Sequence, residues 1–461
     1  MAKAKVAFVC GDCGAEHGKW QGQCAACGRW NTLREFILPT TRSQGVGYTG
    51  EAPRSSRLDE IVTTTGARLA SGFGELDRVL GGGFVTGSVV LIGGDPGAGK
   101  STLLLQVSTV LGNGSAAGAR VLYISGEESL GQIADRARRL GLDTGNLAVA
   151  SEVQVARIAE LVQAERPALV VVDSIQVMQT ATSDSLPGSV TQVRESAAEL
   201  VRLAKQTDIA VVLVGHVTKE GNLAGPKVLE HMIDCYMMLD APAGSRYRTL
   251  RSLKNRFGAV NELGVFAMTD TGMKQVSNPS AIFLQRPKEM APGSVVTVTW
   301  EGTRPLLVEI QALVDPVQGG YPRRVAVGLD AQRLAMHLAV LHRHCGVSLA
   351  DQDVFANVVG GIRIGETGAD LALIVAAMSS FRSRVLPRDL VVFGELGLTG
   401  EVRPVPNGEG RLREAAKHGF TQAIVPRANR PREAIPGIET HAAASLAQTL
   451  GVVNSLPDTP P

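Results

Sequence analysis

No stretch of this chain is apolar over the ~18 consecutive residues that a membrane-spanning helix needs, so no such helix is expected. The N-terminus, Met1 to Val9, carries lysines but no apolar core segment, which argues against a secretory signal peptide. Net charge is also missing. Forty-six Lys and Arg against 44 Asp and Glu leave a formal +2, which neither demands nor excludes nucleic acid. A ring or filament can still concentrate a few cations from each copy along a channel. Charged residues make up only 20% against 44% hydrophobic, which excludes a disordered chain and calls for large buried cores. No repeat at solenoid or propeller periods is present. Cysteine is sparse, and four of the six lie in one cluster, which reads as metal binding in a cytoplasmic protein, not as disulfides.

Glycine, by contrast, is abundant at 52 residues, much of it beside apolar runs, as in α/β proteins whose backbone approaches a ligand closely. A length of 461 residues suggests about three domains. Residues 1–36 are a small cysteine module. Residues 37–57 are a linker, rich in Thr, Ser, Gly and Pro from Leu38 to Arg57. Residues 58–275 alternate helical patterns with short apolar strands at Ser88–Gly93, Arg120–Ser125, Ala168–Asp173 and Ile209–Gly215. Continuously apolar strands spaced by helices predict a mostly parallel sheet covered on both faces. A connector, 276–291, leads to a second α/β block at 292–454. There Val295–Trp300 alternates like a strand, and Ala331–Cys345 and Asp370–Arg382 have helical spacing. Residues 455–461 form a tail.

Cys10-x2-Cys13 and Cys24-x2-Cys27 lie ten residues apart. Each pair can turn two thiolates toward one point, and four close a tetrahedral Zn²⁺ site with no open position, which is a structural site. Metal binding worth ~10–16 kcal/mol would supply the folding energy that so short a segment lacks. Trp20 and Trp30 are expected to pack on the cluster.

Gly94-Asp95-Pro96-Gly97-Ala98-Gly99-Lys100-Ser101 matches G-x-x-x-x-G-K-[ST] at every fixed position, with Thr102 continuing into a helix to Leu111. Glycines let backbone N–H groups curl around ATP phosphates, and the helix dipole favours the anion. Lys100 is expected to reach the β- and γ-phosphates, and Ser101 to offer its hydroxyl to Mg²⁺. Leu169-Val170-Val171-Val172-Asp173 is an apolar strand ending in an acid, suited to the Mg²⁺ shell. Gly126-Glu127-Glu128 follows strand Val121–Ser125 and projects carboxylates from the ligand-binding edge of the sheet. Glu127 is assigned as the general base, with Glu128 as the alternative. His216 ends another strand, where it either senses the γ-phosphate or serves a loop.

The order of P-loop, Gly-Glu-Glu strand end, acid-tipped strand and polar strand end resembles the RecA-type ATPase core. Lys254-Asn255-Arg256-Phe257-Gly258, together with the cysteine module and the second block, is similar to the RadA (Sms) family of bacterial recombination ATPases, over nearly the whole chain. The resemblance implies an α/β fold: a RecA-like P-loop domain, a zinc ribbon-type module and a Lon-protease-like C-terminal domain. It also implies a hexameric ring on single-stranded and branched DNA that drives branch migration, with a RecA-type recombinase as a possible partner. Lys254 and Arg256, cations on a turn after strand Thr249–Leu253, could then reach a neighbour's γ-phosphate.

Gly394–Val402 and Ala415–Phe420 resemble the proteolytic domain of Lon, which needs a nucleophilic Ser and a Lys base. The matching stretch Gly365-Glu366-Thr367-Gly368-Ala369-Asp370 has no serine, and the lysine position falls near Glu409. The block is therefore expected to be a scaffold without protease activity, with Arg382, Arg384 and Arg388 as a local basic cluster. Two loops are candidates for single-strand contact. One runs from Thr180 to Arg194, and the other, from Val217 to Lys227, offers Lys219 and Lys227. The rival readings are an ATP-dependent protease, an ATP-switched DNA loader, and a filament-forming recombinase.

Overall fold

The computed structural model describes residues 6–10, 15–17, 19–37, 57, 68–114, 120–181, 185–186, 188–216, 228–241, 245–280, 284 and 291–457. It divides into two compact units, Met1–Thr64 and Thr65–Pro461. The expected linker lies almost wholly outside the described residues.

In the first unit, β1 (Val6–Cys10) pairs antiparallel with β2 (Glu16–His17) and β3 (Leu33–Ile37). Its buried apolar cluster is Cys10, Cys24 and Leu33, with Phe8 and Ala15 packed against it. A core that small cannot offset the chain entropy of ordering the segment. Trp20 and Trp30, expected to pack inward, are 56% and 68% exposed. The three-stranded sheet is too small to cover an indole.

The second unit opens with α1 (Gly74–Leu80), β4 (Val89–Gly94), α2 (Lys100–Gly114), β5 (Val121–Ser125), α3 (Leu130–Arg139) and β6 (Leu147–Ser151). It continues through α4 (Val155–Glu165), β7 (Leu169–Asp173), α5 (Val190–Thr207), β8 (Ala210–Val214) and α6 (Val228–Met232). A meander of β9 (Cys235–Asp240), β10 (Tyr247–Asn255), β11 (Leu263–Thr269) and β12 (Gly272–Gln275) follows. These strands form one nine-stranded sheet in the order β12-β11-β10-β9-β4-β8-β7-β5-β6. From β9 to β6 every neighbour is parallel, and β10 to β12 add antiparallel. Every residue of β4, β5, β7 and β8 is buried, because helices cover both faces; that is why these strands read as unbroken apolar runs. Two buried apolar clusters, one per face, hold the helices to the sheet.

The second sheet begins with the hairpin β13 (Ser294–Glu301) and β14 (Arg304–Pro316). Next come β15 (Arg324–Val327), α7 (Ala331–Cys345), β16 (Gln352–Val358), α8 (Asp370–Phe381) and β17 (Leu390–Val392). The small pair β18 (Glu395–Leu396) and β19 (Val402–Arg403) precedes α9 (Gly408–Lys417), β20 (Gln422–Pro426), β21 (Glu439–Ala443) and α10 (Leu446–Ser455). Seven strands run in the order β15-β16-β14-β13-β17-β20-β21. Asp330 caps α7 by accepting from the amides of Gln332 and Arg333, and Gly346 ends it at φ 68°; both are ordinary helix stop and start chemistry. Among the described residues, no helix is long and apolar enough to cross a membrane.

Candidate functional site

The P-loop occupies the turn between β4 and α2, and α2 begins at Lys100 itself. Lys100 is buried, and its Nζ donates to the carbonyls of Gly94 at 2.7 Å and Asp95 at 2.9 Å. Burial lowers its pKa from the ordinary lysine value, and Asp173, Asp95 and Glu127 oppose that shift. Gly97 sits at φ 80° with nothing within 4 Å of an added Cβ, so the loop presents open backbone. These features fit a phosphate cradle whose lysine is folded back onto its own loop.

Across the carboxyl edge, β5 and β7 are neighbours, with Ser125 opposite Asp173. The buried Tyr123 hydroxyl donates to Asp173 Oδ2 at 2.6 Å. Burial, reinforced by Asp173, pushes the phenol well above its usual pKa, so it remains a donor. The end of β5 is tied by Gly126 N to Asp173 O at 2.9 Å, and by Ser125 Oγ, which exchanges bonds with the amide and carbonyl of Glu128. A Cβ at Gly126 would lie 2.4 Å from Val177, so this turn requires glycine.

The two adjacent glutamates diverge. Glu127 accepts a short hydrogen bond from Ser174 Oγ, and its Oε1 lies 3.4 Å from His216 Nε2. Glu128 is instead paired with Arg136 of α3. Lys100, Ser101, Asp173, Glu127 and His216 are thus gathered at one edge of the sheet, while Glu128 is drawn toward the helix. Sequence reasoning missed Tyr123 and Ser174. Tyr123 reads as one more apolar strand residue, and only the β5–β7 register reveals its partner 50 positions away.

Lys254 and Arg256 lie at the other edge. β10 is longer than expected, so Lys254 and Asn255 are strand residues, after a register shift between Ser252 and Lys254. Arg248, near the start of β10, donates to Ala98 O of the P-loop at 3.2 Å. Because β10 runs antiparallel to β9, its last residues pair with Tyr236 and Cys235, at the amino edge of the parallel strands. Lys254 therefore stands about 20 Å along the strand from Arg248, at ~3.3 Å per residue. Lys254 Nζ donates to Glu230 O, and Arg256 Nη1 lies 3.2 Å from Asp234 Oδ1. Burial, together with Arg256, lowers the Lys254 pKa. Asp234 is itself buried, also accepting from Val89 N and Lys205.

In the first unit, Cys10, Cys24 and Cys27 are gathered with sulfur atoms within 4.8 Å of one another. The Cys10 and Cys27 sulfurs are 3.7 Å apart, which fits two corners of a tetrahedral zinc site with ~2.3 Å Zn–S bonds. Gly28 N donates to Cys24 O at 2.8 Å, a tight turn that swings Cys27 back toward Cys24. Cys13 lies outside the described residues, as do Lys219 and Lys227. Arg194 is described, but it is the fifth residue of α5 instead of part of a loop, with its guanidinium 3.9 Å from Glu195.

In the second sheet's domain, the stretch matching the Lon nucleophile is held by a salt bridge to Arg411, which follows the segment of the expected base. Arg411 is fully buried and donates to both Glu366 carboxylate oxygens at 2.6 Å. Glu409, two positions earlier on α9, faces Arg413 at the surface; residues two apart on a helix do not share a face. The Thr367 hydroxyl donates to Glu395 at 2.6 Å. Arg382 and Arg384 are pinned to the C-terminal helix region, through Asn454 Oδ1 at 2.8 Å and Leu456 O at 2.6 Å.

Three families match parts of the chain: an AAA domain over residues 52–222, a rubredoxin metal binding domain over 8–35, and subunit ChlI of Mg-chelatase over 331–429. Over nearly its full length the chain is similar to proteins described as DNA repair protein RadA. That of Haemophilus influenzae is 58% identical across 99% of this chain and 100% of its own. That of Escherichia coli is also 58% identical, over the same shares. That of Bacillus subtilis is 46% identical over 98% of this chain and 99% of its own.

Proposed function

This chain belongs to the RadA family of DNA repair proteins, and from that premise we propose that it is a DNA-stimulated ATPase motor of homologous recombination. One observation carries the reading. Lys100, Asp173 and Glu127 share one edge of a sheet, while Lys254 and Arg256 stand at the opposite edge. A cation so placed cannot serve its own nucleotide, but in a closed ring it faces the next copy's. The proposed assembly is a homohexamer in the cytoplasm that translocates on single-stranded DNA and moves the branch points of joined DNA, beside a RecA-type recombinase. The experiment is the ATPase rate with and without single-stranded DNA, with subunits counted by electron microscopy. A rate indifferent to DNA would overturn the motor reading.

Within that reading, residues 94–102 cradle ATP, Lys100 holds the β- and γ-phosphates, and Ser101 with Asp173 would hold Mg²⁺, which supplies charge neutralisation. Tyr123 fixes the Asp173 carboxylate. Glu127 is the base, turned toward the edge by Ser174 and His216, while Glu128 serves the α3 entrance. Glu127→Gln should therefore lower kcat by about 10²–10⁴, with ATP affinity kept, and Glu128→Gln should change kcat little. Steady-state kinetics of both variants decide it; the reverse ranking moves the base to Glu128.

The cysteine module is proposed as a Zn²⁺ site of Cys10, Cys13, Cys24 and Cys27, closed and structural. Cys24→Ser with Cys27→Ser should release one equivalent of zinc and unfold residues 10–30, leaving the second unit's melting transition in place. Elemental analysis of the parent protein checks it first, and a protein free of zinc would reject the assignment. Arg194, Lys219 and Lys227 are proposed as phosphate contacts on the single strand. The C-terminal domain is proposed to be proteolytically inert, because the stretch Gly365–Asp370 has no serine, Glu409 stands near the expected lysine position, and Glu366 in that stretch is held by the buried Arg411.

A further inference from the structure

The end of β10 and the turn after it, which carry Lys254 and Arg256, have three structural supports, and one short turn of the second sheet touches all of them. That turn is Gly302-Thr303, closed by the facing residues Glu301 and Arg304 at the tip of the β13–β14 hairpin. Glu301 is buried and paired with Arg251, three residues before Lys254 on β10. Thr303 N donates at 2.9 Å to the buried Glu262, four residues after Gly258. Arg304 Nη1 reaches both carboxylate oxygens of Glu75 on α1 at 3.0 Å. The far end of α1 is the third support. Its Val79 carbonyl accepts from Asn255 at 3.2 Å, and a Cβ at Gly258 would lie 2.9 Å from the Gly81 Cα.

The fit at the turn leaves no slack. Gly302 sits at φ 60°, and a Cβ there would lie 2.8 Å from the Glu262 Cα and 2.9 Å from its amide nitrogen. Buried ion pairs of this kind add little net stability, because desolvation offsets their attraction; what they set is geometry. Geometry is what a cation reaching toward developing phosphate charge requires, since a displacement of about 1 Å can cost about a hundredfold in rate.

We propose that the Glu301–Arg304 turn is a positioning device for Lys254 and Arg256, so that the C-terminal domain sets how each copy presents its cations to the neighbouring nucleotide. The proposal rests on the reading that these cations act between copies.

The test separates the two. Full-length Lys100→Ala subunits, which keep intact cations, are mixed with Lys254→Ala/Arg256→Ala subunits, which keep an intact P-loop. Hydrolysis should reappear in the mixture. No recovery would sink the reading between copies, and the proposal with it. The mixing is then repeated with donors carrying Lys100→Ala plus Gly302→Val, or Lys100→Ala plus Glu301→Gln. Recovery should fall about tenfold or more, while ATP binding to the acceptor subunits and assembly size stay unchanged. Glu301→Asp, which keeps the charge, should restore part of the loss. Recovery equal to that of the plain Lys100→Ala donor would overturn the proposal. So would a loss that tracks only a lower melting temperature of the donor.

Discussion

Lys100→Ala should all but abolish ATP hydrolysis, a loss of about 10²–10³ in rate from this one fixed donor, and should weaken nucleotide binding as well. The ammonium is buried, and its pKa is depressed by that burial, yet three carboxylates oppose the shift. Its two acceptors are backbone carbonyls of the loop itself, so it is poised to leave them for a phosphate. Alanine removes the fixed cation and leaves the Gly94 and Asp95 carbonyls without their donor, at about 1 kcal/mol each. A modest fall in melting temperature is therefore expected beside the catalytic loss, and far too small to explain it. Hydrolysis at the parental rate in a folded Lys100→Ala protein would remove the basis for an ATPase at this loop.

Lys254→Ala with Arg256→Ala should lower kcat by about 10³–10⁵, the range of cations supplied to a neighbouring phosphoryl group. ATP affinity should change little, because both side chains stand at the edge of the sheet opposite the P-loop. Two local contacts are lost as well: Lys254 to Glu230 O, and Arg256 to Asp234. Asp234 keeps Lys205 at 2.7 Å and the Val89 amide at 3.0 Å, so its buried charge stays compensated and the fold should survive. Nucleotide binding by calorimetry and turnover at saturating ATP separate the two effects. If affinity collapsed while turnover at saturation stayed normal, the cations would belong to binding within the same copy.

The parallel half of the ATPase sheet was legible because β4, β5, β7 and β8 are buried on both faces, and that burial writes continuous apolar runs into the chain. The P-loop was legible because its chemistry is contiguous: backbone curl, cation and hydroxyl fall within eight residues. The β9–β12 meander was not read as a sheet extension. β10 mixes Arg, Thr, Ser and Lys with its apolar residues, because it is only partly covered. The different surroundings of Glu127 and Glu128 were not legible in the sequence. Ser174 and His216 approach one, and Arg136 the other, each from a different element. Trp20 and Trp30 misled because aromatic residues near cysteines suggest a core, and the first unit's sheet is too small to bury them.

By itself, the sequence determined which chemical groups are present and which local geometry each motif adopts. A glycine-rich loop before a helix, an acid ending an apolar strand, and paired cysteines with two residues between them are decided by short-range stereochemistry. Only the tertiary structure decided on which side of the sheet each group stands. The antiparallel turn of β10 sends Lys254 and Arg256 away from the P-loop that Arg248, on the same strand, touches. Only the packed fold placed Glu75, Arg251 and Glu262 against a turn that follows them by 40 residues or more. Strand direction and domain docking are set by burial summed over whole sheets, and no local stretch of residues carries that sum.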